Sequence, residues 1–78
     1  PQRIQEAIVA GKVCEGMTRE QVIISLGYPR TDATPVLSNS VWKYWTASWE
    51  EYLVIWGKDG LVQSISAPTD VLSQVSIP

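Results

Sequence analysis

A chain of 78 residues supplies one domain with one modest core, and a chain of this size buries only roughly 60% of its unfolded surface, so each local stabilising device matters. Apolar residues make up 45% and charged residues 18%, a globular composition, and six basic residues stand singly among eight acidic ones for a net charge of −2. This pattern excludes a phosphate-neutralising patch, so no nucleic acid is expected as a partner, and it offers no polybasic stretch to hold an anionic membrane surface.

No apolar run approaches the roughly 18 residues needed to span a bilayer. No signal peptide or lipid-attachment motif is present. The chain opens at Pro1-Gln2 without an initiator Met and reads as a processed or excised segment. The single cysteine, Cys14, allows no intramolecular disulfide.

Residues 2–10 predict a helix, because Ile4, Ala7 and Ile8 form one apolar stripe and Gly11 follows as a stop. Two turns of helix would not persist alone in water, so this one needs something to pack against. The second helix, over about residues 18–26, has the clearest local signals. Thr18 is suited to the N-cap, and Gln21 three residues later completes a capping box. Met17 and Val22 occupy the staple positions, Val22, Ile23 and Leu26 offer a core-facing stripe, and Gly27 with Pro29 ends the helix.

Residues 30–40 read as a loop rich in turn formers, and long loops in compact domains are often functional. The texture then changes to aromatic and β-branched residues. Strands are predicted over 41–45, 51–56 and 61–65, joined by a connection at 47–50 and a turn at 57–60. Short connections make neighbouring strands antiparallel. The expected fold class is α+β: two short N-terminal helices packed on a three-stranded antiparallel meander, ααβββ. Residues 1–65 form this domain, and residues 66–78, with one charge and two prolines, are expected to be a loosely ordered tail in which Val71, Leu72 and Val75 could add a helical turn.

The search for chemistry returns absences. Without histidine, the commonest general base and metal ligand is missing, and one cysteine cannot build a zinc cluster or a Cys-His nucleophile. Glu50 and Glu51 are adjacent, so a strand would point them to opposite faces. Asp32 and Asp59 lie in turn contexts where carboxylates bond the local backbone, and Ser38, Ser40 and Ser48 have no base in the sequence beside them. Cys14 next to Glu15 reads as an inert, partly buried thiol. No catalytic residue, cofactor or metal is assigned, and no enzyme activity is expected.

The aromatic content is unusual: four Trp and three Tyr with no Phe. Both types combine apolar area with a polar handle and are enriched at interfaces. Alternation puts Trp42 and Tyr44 on one face with Trp45 opposite, and Tyr52, Val54 and Trp56 on one face with Leu53 and Ile55 opposite. Two short helices can cover only one face. Trp45, Trp49, Trp56 and Tyr52 are therefore the candidate protein-binding surface, whereas Met17, Thr18, Gln21 and Gly27 are structural capping residues.

The run Gly16-Met17-Thr18-Arg19-Glu20-Gln21-Val22, then Leu26-Gly27-Tyr28-Pro29, Trp42-Lys43-Tyr44 and Gly60-Leu61-Val62, resembles the SmpA/OmlA (BamE-like) family of small outer-membrane lipoproteins. The match runs from about residue 4 to residue 65. The resemblance implies an ααβββ fold, a place on the periplasmic side of the outer membrane, and a scaffolding or protein-binding role in the cell envelope, linked to β-barrel assembly. It implies contact with the membrane only through a lipid anchor that this segment lacks. A similar arrangement occurs in β-lactamase-inhibitor-like domains, so the alternative is an inhibitor-like domain that binds a periplasmic enzyme through its aromatic sheet face. The chain departs from the family pattern in having no Phe between Pro29 and Trp42, and in carrying Trp45, Trp49 and Trp56 beyond it.

Overall fold

The computed structural model describes residues 2–34 and 36–77; Pro1, Pro35 and Pro78, at the expected chain opening, in the expected loop and at the end of the expected tail, lie outside the described residues. The first helix, α1 (Gln2–Ala10), buries Ile4 and Ala7. It stops at Gly11, whose φ of +68° lets Gly11 donate to the Ile8 carbonyl (3.1 Å) and Lys12 to the Ala7 carbonyl (2.8 Å). That pair of bonds is the Schellman arrangement, and it satisfies carbonyls the helix end would otherwise strand.

Helix α2 (Arg19–Leu26) follows with both arms of the expected capping box in place. The Gln21 amide N–H donates to Thr18 Oγ1 (3.1 Å), and the Thr18 N–H donates to Gln21 Oε1 (2.9 Å). Met17 and Val22 are fully buried in the same core. Ser25 ties the two helices together, its hydroxyl donating to the Lys12 carbonyl (2.6 Å) at the end of α1.

The strands β1 (Val41–Trp45), β2 (Glu51–Trp56) and β3 (Val62–Ser66) form an antiparallel meander in the order β1-β2-β3. The α+β class and the ααβββ order are as expected. The third strand begins one residue later than the pattern suggested. Leu61 instead bridges to Thr18, and a register irregularity at Ile55/Trp56 puts Val62 opposite Trp56 while Ile65 opposes Val54.

Alternation along the strands decides which face is covered. Trp42 and Tyr44 from β1, Tyr52, Val54 and Trp56 from β2, and Val62 from β3 join Ile4, Ala7, Met17 and Val22 in one buried cluster. Val41, Lys43, Trp45, Leu53 and Ile55 point the other way, and each keeps some exposure.

Among the described residues there are three helices rather than two. The stretch expected to be a loose tail contains α3 (Thr69–Val75), with Val71 and Val75 buried in the common core. Residues beyond it return to the segment after α1: the Val13 N–H donates to the Val75 carbonyl (2.8 Å) and the Ile77 N–H to the Val13 carbonyl (3.2 Å). The packed unit therefore extends past residue 65. A single turn's worth of apolar residues, Val71, Leu72 and Val75, would not hold a helix alone; the apolar surface it covers makes the helix worthwhile.

Both edges of the sheet are partly closed. At β3, Gly16 donates to the Val62 carbonyl and Val62 donates to the Met17 carbonyl, both at 2.9 Å. At β1, the Lys43 N–H donates to Thr34 Oγ1 (3.1 Å), and Thr34 is only 2% exposed. Blocked edges protect a sheet from unwanted strand pairing.

The long loop is fastened rather than free. The Leu37 carbonyl accepts from Trp42 Nε1 (3.1 Å) and from Arg19 Nε (3.2 Å), linking the loop to β1 and to the start of α2.

Candidate functional site

The connection between β1 and β2 is organised by one hydroxyl. Thr46 Oγ1 accepts from the N–H groups of Ser48 and Glu50, each at 3.2 Å, while the Thr46 N–H donates to the Glu50 carbonyl (2.9 Å). The Trp49 N–H donates to the Thr46 carbonyl (2.9 Å). This closure leaves Trp49 at φ +63° with 70% of its surface exposed. It is the sole described residue other than glycine at positive φ. A bulky side chain there works against a backbone strain of order 1–3 kcal/mol, and such residues cluster at binding and switch sites.

Trp49 does not stand alone. Trp45, on the uncovered face of β1, and Tyr28, Arg30, Lys43, Tyr44 and Thr46 join it around a shallow groove of about 220 Å³. Arg30 reaches this place because α2 stops at Gly27 and the chain then runs through buried Pro29 alongside β1. The Tyr44 hydroxyl secures that path by donating to the Gly27 carbonyl (2.8 Å).

The Arg30 guanidinium carbon lies 5.6 Å from the Trp45 ring centroid and 5.9 Å from that of Trp49, within cation–π range of both. Two hydrogen bonds to Asp32, at 2.9 and 3.1 Å, hold it in orientation. The same bonds keep the Asp32 carboxyl below its ordinary range and the guanidinium above its own. Lys43 Nζ sits 6.0 Å from the Trp45 centroid and 3.5 Å from Glu51 Oε2.

Of the four expected surface aromatics, the fold brings together Trp45 and Trp49. Trp56 and Tyr52 are excluded from the surface, at 4% and 5% exposure. Both lie on the face of β2 that the helices cover. Trp56 packs edge-on against Trp42 with centroids 4.9 Å apart, and Tyr52 stacks on Tyr44 at 5.7 Å. Burial raises the phenol pKa of both tyrosines, and the Tyr52 neighbour adds to the shift at Tyr44.

Tyr28, Arg30 and Lys43 were not singled out by sequence reasoning. The one available signal was Tyr28 itself. An aromatic residue between a helix-ending glycine and a proline has little chance of entering the core, and Tyr28 is 71% exposed. The capping residues Met17, Thr18, Gln21 and Gly27 act on α2 and do not line the groove, although Gly27 adjoins it through its bond from Tyr44.

The remaining candidates for chemistry are placed as follows. Cys14 is fully buried, and its thiol pKa is raised mainly by that burial, with Glu15 adding to the shift and Arg3 opposing it. Asp59 Oδ1 accepts from the Leu61 N–H (3.1 Å), a turn role. Ser38, Ser40 and Ser48 are exposed loop residues, as is Glu50, and Glu51 is exposed at the first position of β2. Among the described residues no three His, Cys, Asp or Glu side chains converge as a metal cage requires, and no helix is long and apolar enough to cross a membrane. Comparison with family models, with curated proteins and with solved structures returned no match.

Proposed function

We propose that this chain is a non-enzymatic protein-binding domain, and that it docks its partner on the groove formed by Tyr28, Arg30, Trp45 and Trp49. The observation that carries this reading is Trp49: a large aromatic held at positive φ on a hairpin tip, 70% exposed, beside a second, partly buried Trp. An exposed, pre-positioned indole is the type of side chain that dominates binding energy when it enters a partner's pocket. The Arg30 guanidinium, bonded to Asp32, lies within cation–π range of both rings.

The cellular setting belongs to the same proposal. The pairs of motif segments behind the SmpA/OmlA resemblance meet one another: Gly16-Met17-Thr18 pairs with Leu61-Val62, and Tyr44 bonds Gly27. These contacts support a shared scaffold, and with it a cell-envelope lipoprotein origin on the periplasmic side of the outer membrane. They carry no information about the partner, because the groove residues Trp45 and Trp49 lie outside the motifs.

The test is cross-linking of the domain in bacterial envelope extracts, alongside a Trp45→Ser/Trp49→Ser variant with an unchanged circular dichroism spectrum. A partner recovered with the parent chain and reduced at least about tenfold with the variant is expected. Equal recovery by both chains, or no specific partner, would remove the proposal. An inhibitor-like role uses the same groove; it requires that the domain slow a periplasmic hydrolase and that Trp49→Ser abolish the effect.

A further inference from the structure

We infer that the open face of the sheet packs against the same face of a second copy of this chain, in a two-fold symmetric dimer. The inference goes beyond the reading above. Its surface is centred on Leu53 and not on the hairpin tip at Trp49, although Trp45 and Lys43 border both.

The first observation is a layer left uncovered. All three helices bury their apolar residues on one side of the sheet, together with Trp42, Tyr44 and Val54. On the other side Val41 pairs with Ile55, Lys43 with Leu53 and Trp45 with Glu51, and each keeps some exposure. A sheet face with apolar residues from two strands gains by being covered. Pairing of copies edge to edge is obstructed. At β1 the Lys43 N–H is bonded to the buried Thr34 hydroxyl, and at β3 the edge begins with bonds to Gly16 and Met17. Copies therefore meet face to face.

The second observation is the placing of charge. Lys43 and Glu51 are the charged residues of β1 and β2 on this face, 3.5 Å apart, with 38% and 59% of their side chains exposed. Ser64 and Ser66 of β3, opposite Ile55 and Leu53, add no charge. The register sets four side chains in a quadrilateral, with Lys43 and Glu51 on one diagonal and Trp45 and Leu53 on the other. A two-fold axis along the apolar diagonal places Trp45 on Trp45 and Leu53 on Leu53, and brings Lys43 of each copy to Glu51 of the other.

This arrangement selects the occupant. A partner of one charge sign answers one of the two groups and repels the other, and a hydrocarbon surface answers neither. A second copy carries the matching pattern in itself. The face is neutral while the whole chain carries −2, so like-charge repulsion between copies is least here. The sheet is three strands wide and its first strand five residues long, roughly 14 by 17 Å. An interface of that size is small, so the dimer is expected to be weak, with a Kd of order micromolar or above.

The test is sedimentation equilibrium of the intact domain from about 10 μM to about 1 mM, at low ionic strength. The weight-average mass should climb from the 8.7 kDa of the chain toward twice that value. Lys43→Glu and Glu51→Lys, both at exposed side chains, each set like charges opposite one another and should weaken the dimer at least about tenfold. An equimolar mixture of the two variants should restore it, because each unlike pair then forms across the interface. An effect on the ion pair within one chain could not be repaired by mixing. Val9→Ser, on α1, should leave the association unchanged. A monomer at every concentration would overturn the inference. So would a dimer indifferent to both charge reversals, or reversals that mixing does not repair.

Discussion

The domain contains the same trio twice, two tryptophans and one arginine, with opposite fates. In the inner trio, Arg19 lies 4.6 Å from the Trp56 centroid and 5.9 Å from that of Trp42, and both indoles are buried. In the outer trio, Arg30 lies at 5.6 and 5.9 Å from Trp45 and Trp49, and Trp49 is largely exposed. Residue type therefore does not separate structural from surface aromatics here. The inner arginine bonds a loop carbonyl, Leu37, and so closes the long loop over the core. The outer arginine bonds a neighbouring carboxylate, Asp32, and closes over nothing. The inner trio completes a core; the outer one holds two rings at the surface.

The comparison can be broken most forcefully at Trp42. Trp42→Ala should cost about 3–5 kcal/mol, a large part of the total for a small domain, and urea denaturation would register it as a collapse of the midpoint. A loss similar to that of a surface site would mean that the inner trio is not the core. Next is Val71→Ala in α3, which removes two buried methyl groups and should cost about 2 kcal/mol in the same assay. A negligible cost would return α3 to the status of a loose tail.

Alkaline titration tests the inner face from another direction. Burial raises the phenol pKa of Tyr44 and Tyr52 in the folded state above the ordinary value of 10.0. Above pH 10 the unfolded chain therefore releases protons first. The stability these groups confer is complete below that pH and is lost as pH rises toward the folded pKa. Tyr52→Phe removes one such group and should flatten the alkaline decline by up to about 1.4 kcal/mol per pH unit. An unchanged slope would show that Tyr52 is solvated.

Smaller still is the cap. Thr18→Ala should cost about 1 kcal/mol, since it releases an amide at the start of the helix from which Arg19 reaches the inner trio. The smallest effect belongs to the outer trio. Trp49→Gly relieves the positive φ and should be neutral or stabilising by up to about 1 kcal/mol, while removing the proposed binding. A loss of stability as large as that of Trp42→Ala would erase the distinction between the two trios.

Legibility in the sequence followed the range of the interactions. The capping box at Thr18 and Gln21, the stops at Gly11 and Gly27, and the first two strands were readable because each depends on residues within a few positions. The third strand was displaced by one residue because Leu61 bridges to Thr18, a partner 43 positions away (61 − 18). The candidate site was half readable. Trp45 and Trp49 were named for their type, but Trp56 and Tyr52 were named with them, and local sequence does not distinguish a covered strand face from an open one when both carry large side chains.

By itself the sequence determined the α+β class, the order of its first five elements and the period-two sorting of aromatics into two sets. Caps, turns and alternation are local, and their energies act before the chain is packed. The tertiary structure decided which set faces the helices, drew residues 69–75 into a third helix over the core, and brought Arg30 between Trp45 and Trp49. Each of those outcomes depends on burial of apolar area between segments far apart in the chain, and that area exists only once the segments have met.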